Sequence, residues 1–80
     1  MALNEWRLIP TLKGMIAYQK EINTLYNNYK LRLVILKTNE GDYRVRVDKI
    51  RYIETKVIIF KKFKSEKGAL QYAKKYMKTN

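Results

Sequence analysis

Guanidinium and ammonium groups dominate the chemistry this chain can offer. Eighteen Lys and Arg stand against seven Asp and Glu, a formal charge of +11, and a compact body with that excess attracts polyanions and repels its own copies. The two kinds of cation are sorted along the sequence. Arg32, Arg44, Arg46 and Arg51 fall in segments that read as strands, whereas lysines crowd the turns and the C-terminal stretch. Guanidinium is planar and forked, so from a fixed position it bonds phosphate or a guanine edge bidentately, while Lys is a flexible point charge suited to looser phosphate contacts. A sheet face bearing Arg44 and Arg46, with Arg32 on the neighbouring strand, therefore suits a nucleic-acid groove or backbone. Lys67, Lys74 and Lys78 form a second basic set, at helical spacing. Strand arginines also serve simply to keep a sheet surface solvated and its edges unpaired, and a Lys-rich outer face is common on any surface helix.

Catalytic chemistry has far less to work with. The chain has no Cys and no His, which removes disulfides, thiolate and imidazole metal sites and the usual nucleophile–base pairs. Ser65, the threonines, tyrosines, lysines and seven carboxylates remain, and the acids are dispersed with no paired spacing on one element. Glu40 and Asp42 flank a turn; a hard cation would accept such oxygens, but the pair reads as solvated turn formers. Gly14, Gly41 and Gly68 stand too far apart for a phosphate-cradling loop. A non-enzymatic protein without a cofactor is the expectation.

Among the aromatic residues, Tyr43, Tyr52 and Phe60 are candidate stacking platforms for unpaired bases, with arginines alongside to track the backbone. Tyr43 shares a strand face with Val45 and Val47, however, and Tyr76 a helix face with Leu70 and Met77, which assigns both to the core with their hydroxyls reaching water. Trp6 is expected to pack across the sheet or the first helix.

The elements that must position these groups can be read from periodicity. From Leu12 to about Asn27, the residues Leu12, Met15, Ile16, Ile22, Leu25 and Tyr26 recur at spacings of three and four, which predicts an amphipathic helix entered through Pro10 and stopped at Asn27-Asn28. The competing reading is a strand through Ile22 to Tyr26, turned by Asn27-Asn28 into Tyr29 to Leu36. Leu31 to Lys37 is dense in β-branched and aliphatic residues, and the turn formers Thr38 to Asp42 lead into Tyr43–Asp48, which alternates with Tyr43, Val45 and Val47 on one face and Arg44, Arg46 and Asp48 on the other. Ile50 and Tyr52 break that phase, predicting a bulge near Asp48 and Lys49. Val57 to Phe60 is apolar on both alternating faces, which predicts the most buried strand. Ser65 is then a good N-cap and Glu66 suits the first turn of a helix. Ala69, Leu70, Ala73, Tyr76 and Met77 form its inner stripe and Lys67, Gln71, Lys74 and Lys78 its outer face.

Eighty residues make one domain, 1–80, able to bury only about two thirds of its surface. The expected class is α+β: a three- or four-stranded antiparallel sheet packed by an N-terminal and a C-terminal helix. The run from Leu31 to Met77, with a strand pair around a polar turn, a third strand and then Phe63-Lys64-Ser65-Glu66-Lys67-Gly68-Ala69, resembles the helix-backed arm-binding domains of phage and transposon integrases. That family reads DNA with a three-stranded sheet, so the resemblance implies sheet-mediated DNA contact; it carries no individual residue across.

The functional expectation is non-catalytic nucleic-acid binding, DNA ahead of RNA. Its rivals are a small protein that docks on and inhibits an acidic or nucleic-acid-binding host protein, and a ribonucleoprotein subunit. Lys, Ile, Asn, Tyr, Phe and Met supply 39 of the 80 residues, a bias that AT-rich coding DNA produces and that suits a virus, plasmid or other mobile element. The apolar runs Leu33 to Leu36 and Val57 to Phe60 fall far short of the roughly 20 residues a membrane span needs. With no apolar leader visible in Met1 to Pro10, an intracellular, cytoplasmic protein is expected. A homodimer is conceivable through an exposed edge at Leu33 to Leu36, opposed by the net charge.

Overall fold

The computed structural model describes residues 5–80. Five strands, β1 (Arg7–Ile9), β2 (Met15–Asn23), β3 (Asn28–Lys37), β4 (Tyr43–Arg51) and β5 (Glu54–Phe63), precede the helix α1 (Glu66–Thr79). The strands form one sheet in the order β1-β2-β3-β4-β5, with each neighbouring pair antiparallel. Every strand thus pairs with its neighbour in sequence, the arrangement that short connections favour. Gly14 and Gly41 adopt positive φ values of 87° and 93° in the turns before β2 and β4, a conformation that costs glycine no steric clash. The result is a small, compact α+β unit.

Two expectations about the elements are overturned. The sheet has five strands instead of three or four, and α1 is the single helix among the described residues; the segment expected to form an N-terminal helix holds the turn at Gly14, the strand β2 and the β2–β3 loop. The reason lies in β2 itself. Ile16, Tyr18 and Ile22 sit at even positions and pair with Ile35, Leu33 and Tyr29 of β3, so a period of two competes with the helical one, and nine continuous cross-strand pairs decide for the strand. A hairpin here is the alternative that the sequence also offered, but its turn is Thr24 to Asn27, so that Leu25 and Tyr26 lie in the loop and Asn28 already opens β3. Its loop is closed by the Asn27 amide donating to Thr24 Oγ1 at 2.9 Å and the Thr24 amide donating to the Asn27 carbonyl at 2.8 Å.

The second correction concerns Val57 to Phe60. These residues lie in β5, the last strand of the sheet, and Val57, Ile58 and Phe60 are 51%, 42% and 50% exposed. An apolar run on both faces signals double coverage only when layers lie on both sides and strands on both edges, and here one helix and one neighbouring strand supply neither. Leu33 to Leu36, by contrast, belong to the central strand β3 and offer no free edge. The phase break is present but displaced: the β4–β5 register shifts between Val47 and Asp48, with Val47 opposite Ile59 and Asp48 opposite Val57, so the extra residue is Ile58 of β5 while β4 pairs continuously with β3. Tyr52 belongs to the β4–β5 turn, with φ 53°.

The core lies between α1 and one face of the sheet. Leu31, Leu33 and Ile35 of β3 and Val45 and Val47 of β4 are buried against Ala69, Ala73 and Met77 of the helix, whose small alanines allow close approach. Ser65 caps the helix, accepting the Gly68 amide on Oγ at 3.1 Å, worth about 1 kcal/mol. Trp6 closes one end of this layer, packed edge-on to Tyr76 with ring centroids 6.2 Å apart, and burial raises the Tyr76 hydroxyl above its ordinary pKa. Buried Lys20 of β2 donates to the Asn80 carbonyl and meets Glu5 at 3.0 Å, so a cation sits at the negative end of the helix dipole. That same ammonium lowers the pKa of the exposed Glu5 carboxyl.

Candidate nucleic-acid interface

The face of the sheet away from α1 is covered by no element among the described residues. Side chains of alternate residues reach it, and the register arranges them in rows across the strands. One row runs Met15, Leu36, Arg44, Lys62, and the next Ile9, Ala17, Val34, Arg46, Phe60. A third follows as Arg7, Gln19, Arg32, Asp48, Val57, and a fourth as Glu21, Lys30, Ile50, Thr55. Directly opposed side chains stand about 5 Å apart at Cβ, and successive rows about 7 Å apart along the strands. Arg7, Lys30, Arg32, Arg44, Arg46 and Lys62 therefore share one surface with two carboxylates, Glu21 and Asp48.

Local partners orient several of these cations. Arg46 Nε lies 3.2 Å from Asp48 Oδ1, with Asp48 buried and the Arg46 side chain about half exposed. Arg32 donates through Nη2 and Nε to Gln19 Oε1 at 3.2 and 3.4 Å, and Lys30 stands 3.9 Å from Glu21 in a solvated pair that adds little stability. Arg44 Nε is buried without a hydrogen-bond partner. Arg44 and Arg46, together with Met15, Val34, Leu36 and Phe60, line a shallow depression of about 200 Å³. Val34 and Ala17 are buried on this face although no helix among the described residues covers them; Val34 shares its depression with the long side chains of Met15, Arg44 and Arg46.

The remaining basic residues of the sequence reading are placed elsewhere. Arg51 ends β4 with the opposite orientation to Arg44 and Arg46, and its Nη2 donates to Asn27 Oδ1 at 2.8 Å. Lys67, Lys74 and Lys78 lie exposed on the outer side of α1, on the other side of the sheet from the arginine rows. Arg51 apart, the set thus divides into arginines on the open face of the sheet and lysines on the outer side of α1, separated by the core. Lys37, Lys49 and Lys61, which share the helix-side face, stand over the rings of Tyr43, Tyr29 and Tyr72 at 6.0, 4.5 and 5.1 Å and so act within the fold.

Of the three candidate platforms, Tyr43 packs at the core margin, Tyr52 projects from the β4–β5 turn, and Phe60 stands on the open face opposite Arg46. Glu40 and Asp42 stay in a closed turn, where the Thr38 amide donates to the Asp42 carbonyl at 2.8 Å. No group of three metal-ligating side chains occurs among the described residues, and no helix described is long and apolar enough to cross a membrane.

Compared with family models, curated proteins and solved structures, the chain matches none. Its own geometry is therefore what speaks for function. Sequence reasoning missed Arg7, Lys30 and Lys62. Lys30 and Lys62 keep the strand parity of Arg32 and, across the β4–β5 pair, of Arg44, a signal present in the sequence; Arg7 was hidden because its neighbour β2 read as a helix.

Proposed function

We propose that this protein binds nucleic acid without catalysis, through the open face of its sheet. The observation that carries the reading is the convergence of Arg32, Arg44 and Arg46 with Arg7, Lys30 and Lys62 on one uncovered surface. A row spacing of about 7 Å lets these cations meet successive phosphates, and binding releases the counterions that the phosphates had condensed. Arg46, with its side chain half exposed, is well placed to bond phosphate oxygens, and Arg44 lines the same depression. The lysines of α1 add to the long-range field that draws a polyanion in.

The test is fluorescence anisotropy of labelled nucleic acid titrated with protein at several salt concentrations. Affinity should fall linearly with log salt, and replacing Arg44 and Arg46 together with Ala should reduce the magnitude of that slope by about 2, one for each phosphate that is no longer neutralised. An unchanged slope would remove this face from the mechanism. A protein partner is the second reading, favoured by the exposed apolar residues of the edge strand β5, a template for strand addition. Capture of a partner that survives nuclease treatment, with no binding to any nucleic acid at low salt, would establish it instead.

A further inference from the structure

The two phenylalanines of the chain lie three residues apart and meet opposite fates. Phe63 turns to the helix side and packs on Tyr72, ring centroids 5.5 Å apart. Phe60 turns to the open side, where half of it remains in water. A large apolar ring left half exposed forgoes about 1 kcal/mol of burial energy, on a face it shares with several cations.

Its neighbours define what would cover it. Arg46 is directly opposite Phe60, Lys62 follows two residues along the same strand face, and Arg44 is diagonal to it. Met15, Val34 and Leu36 complete the depression beside the ring. Among the described residues no strand lies beyond β5, so the ring is accessible from the edge of the sheet as well as from above. An aromatic ring bordered by cations fits a ligand that offers a flat π-surface and a phosphate within the same residue spacing. A duplex conceals its base faces in the stack and presents phosphates outward; an unpaired strand presents both.

We infer that the ligand of the open face is single-stranded nucleic acid, with one base stacked on Phe60 and the adjoining phosphates held by Arg44, Arg46 and Lys62. The inference rests on the nucleic-acid reading above and narrows it. The apolar side chains Met15 and Leu36 extend the platform toward β2, giving the next base or sugar a surface without hydrogen-bonding demands. Such stacking tolerates any base, so the face discriminates strandedness more than sequence.

The experiment uses the full chain, an oligothymidine strand, and a duplex of the same length. Two variants are compared with the wild type: Phe60→Leu, which keeps an apolar side chain and loses the ring, and Phe60→Trp, which keeps a ring and reports on it by fluorescence over the constant background of buried Trp6. Because Phe60 is half exposed, both should retain the wild-type melting temperature. The expected result is preference of the wild type for the single strand, loss of about tenfold in that affinity in Phe60→Leu with duplex affinity unchanged, and quenching of the Phe60→Trp emission by the single strand. Equal single-strand affinity in wild type and Phe60→Leu, with Phe60→Trp emission unmoved, would overturn stacking while leaving the cationic reading in place. Absence of binding by the wild type to either nucleic acid would overturn both. If Phe60→Leu instead abolished a concentration-dependent association of the protein alone in sedimentation, Phe60 would be a contact to a second copy and the stacking assignment would fall.

Discussion

Leu33 and Val34 are adjacent in β3 and both are buried, yet they face opposite sides of the sheet and owe their burial to different things. Leu33 lies in the core that α1 covers, with Val45 and Val47 beside it, all three wholly excluded from solvent. Val34 lines a depression on the open face beside Met15, Arg44 and Arg46. A helix covers the first face with close-packed apolar atoms; the second is bordered by long, flexible side chains. The comparison teaches that one sheet can be a core on one side and an open surface on the other while showing similar burial at adjacent residues.

The largest effect should come from cutting into the covered face. Leu33→Ala is expected to destabilise by about 2–5 kcal/mol, whereas Val34→Ala should cost about 1 kcal/mol, because Met15 and the arginine stems can settle into the space. Urea unfolding measures both, and equal losses would mean that the open face is a second rigid core. Removing the cap that starts the covering helix, Ser65→Ala, should lower stability by about 1 kcal/mol in the same assay, with affinity for nucleic acid unchanged where the protein remains folded. On the open face, Asp48→Asn removes a carboxylate held beside Arg46, and a gain of about fivefold or less in affinity at low salt is expected, read by anisotropy; weaker binding would show that Asp48 positions Arg46 instead of merely offsetting its charge. The smallest effect concerns alkaline pH. The Tyr76 hydroxyl is raised by burial, so its contribution is fully present below the unfolded value of 10.0 and is lost as pH rises through the folded value. Tyr76→Phe should flatten the decline of the melting temperature above that pH.

β4, the turn before it and the helix were legible because local signals agreed with one another there. Tyr43 to Asp48 alternates without conflict, Thr38 to Asp42 carries turn chemistry, and Ser65 opens a helix whose inner stripe at Ala69, Ala73 and Met77 is the buried one. The arginine face followed from that alternation. The N-terminal half misled because Leu12, Met15, Ile16, Ile22, Leu25 and Tyr26 suggest a helical spacing while Ile16, Tyr18 and Ile22 keep a strand spacing, and only the partner strand β3 decides between them. β5 misled for a related reason: composition reports how apolar a strand is, while exposure depends on what lies beside it, which no local window contains. The divided placement of the basic residues was likewise a matter of the third dimension, since Lys74 and Arg46 are both exposed cations whose opposite sides of the core appear only once α1 has docked.

The extra residue at Ile58 has a consequence for how the protein behaves in company. A long apolar strand at the rim of a sheet is the geometry from which fibrils grow, one molecule's edge templating the next. An unpaired residue in the middle of β5 interrupts the even ladder of donors and acceptors that such growth copies, and Lys61 and Lys62 follow it as charges that a stacked copy would have to bring together. Added salt quiets the lysines but leaves the kink, so concentrated solutions should stay clear of fibrils at high ionic strength as well.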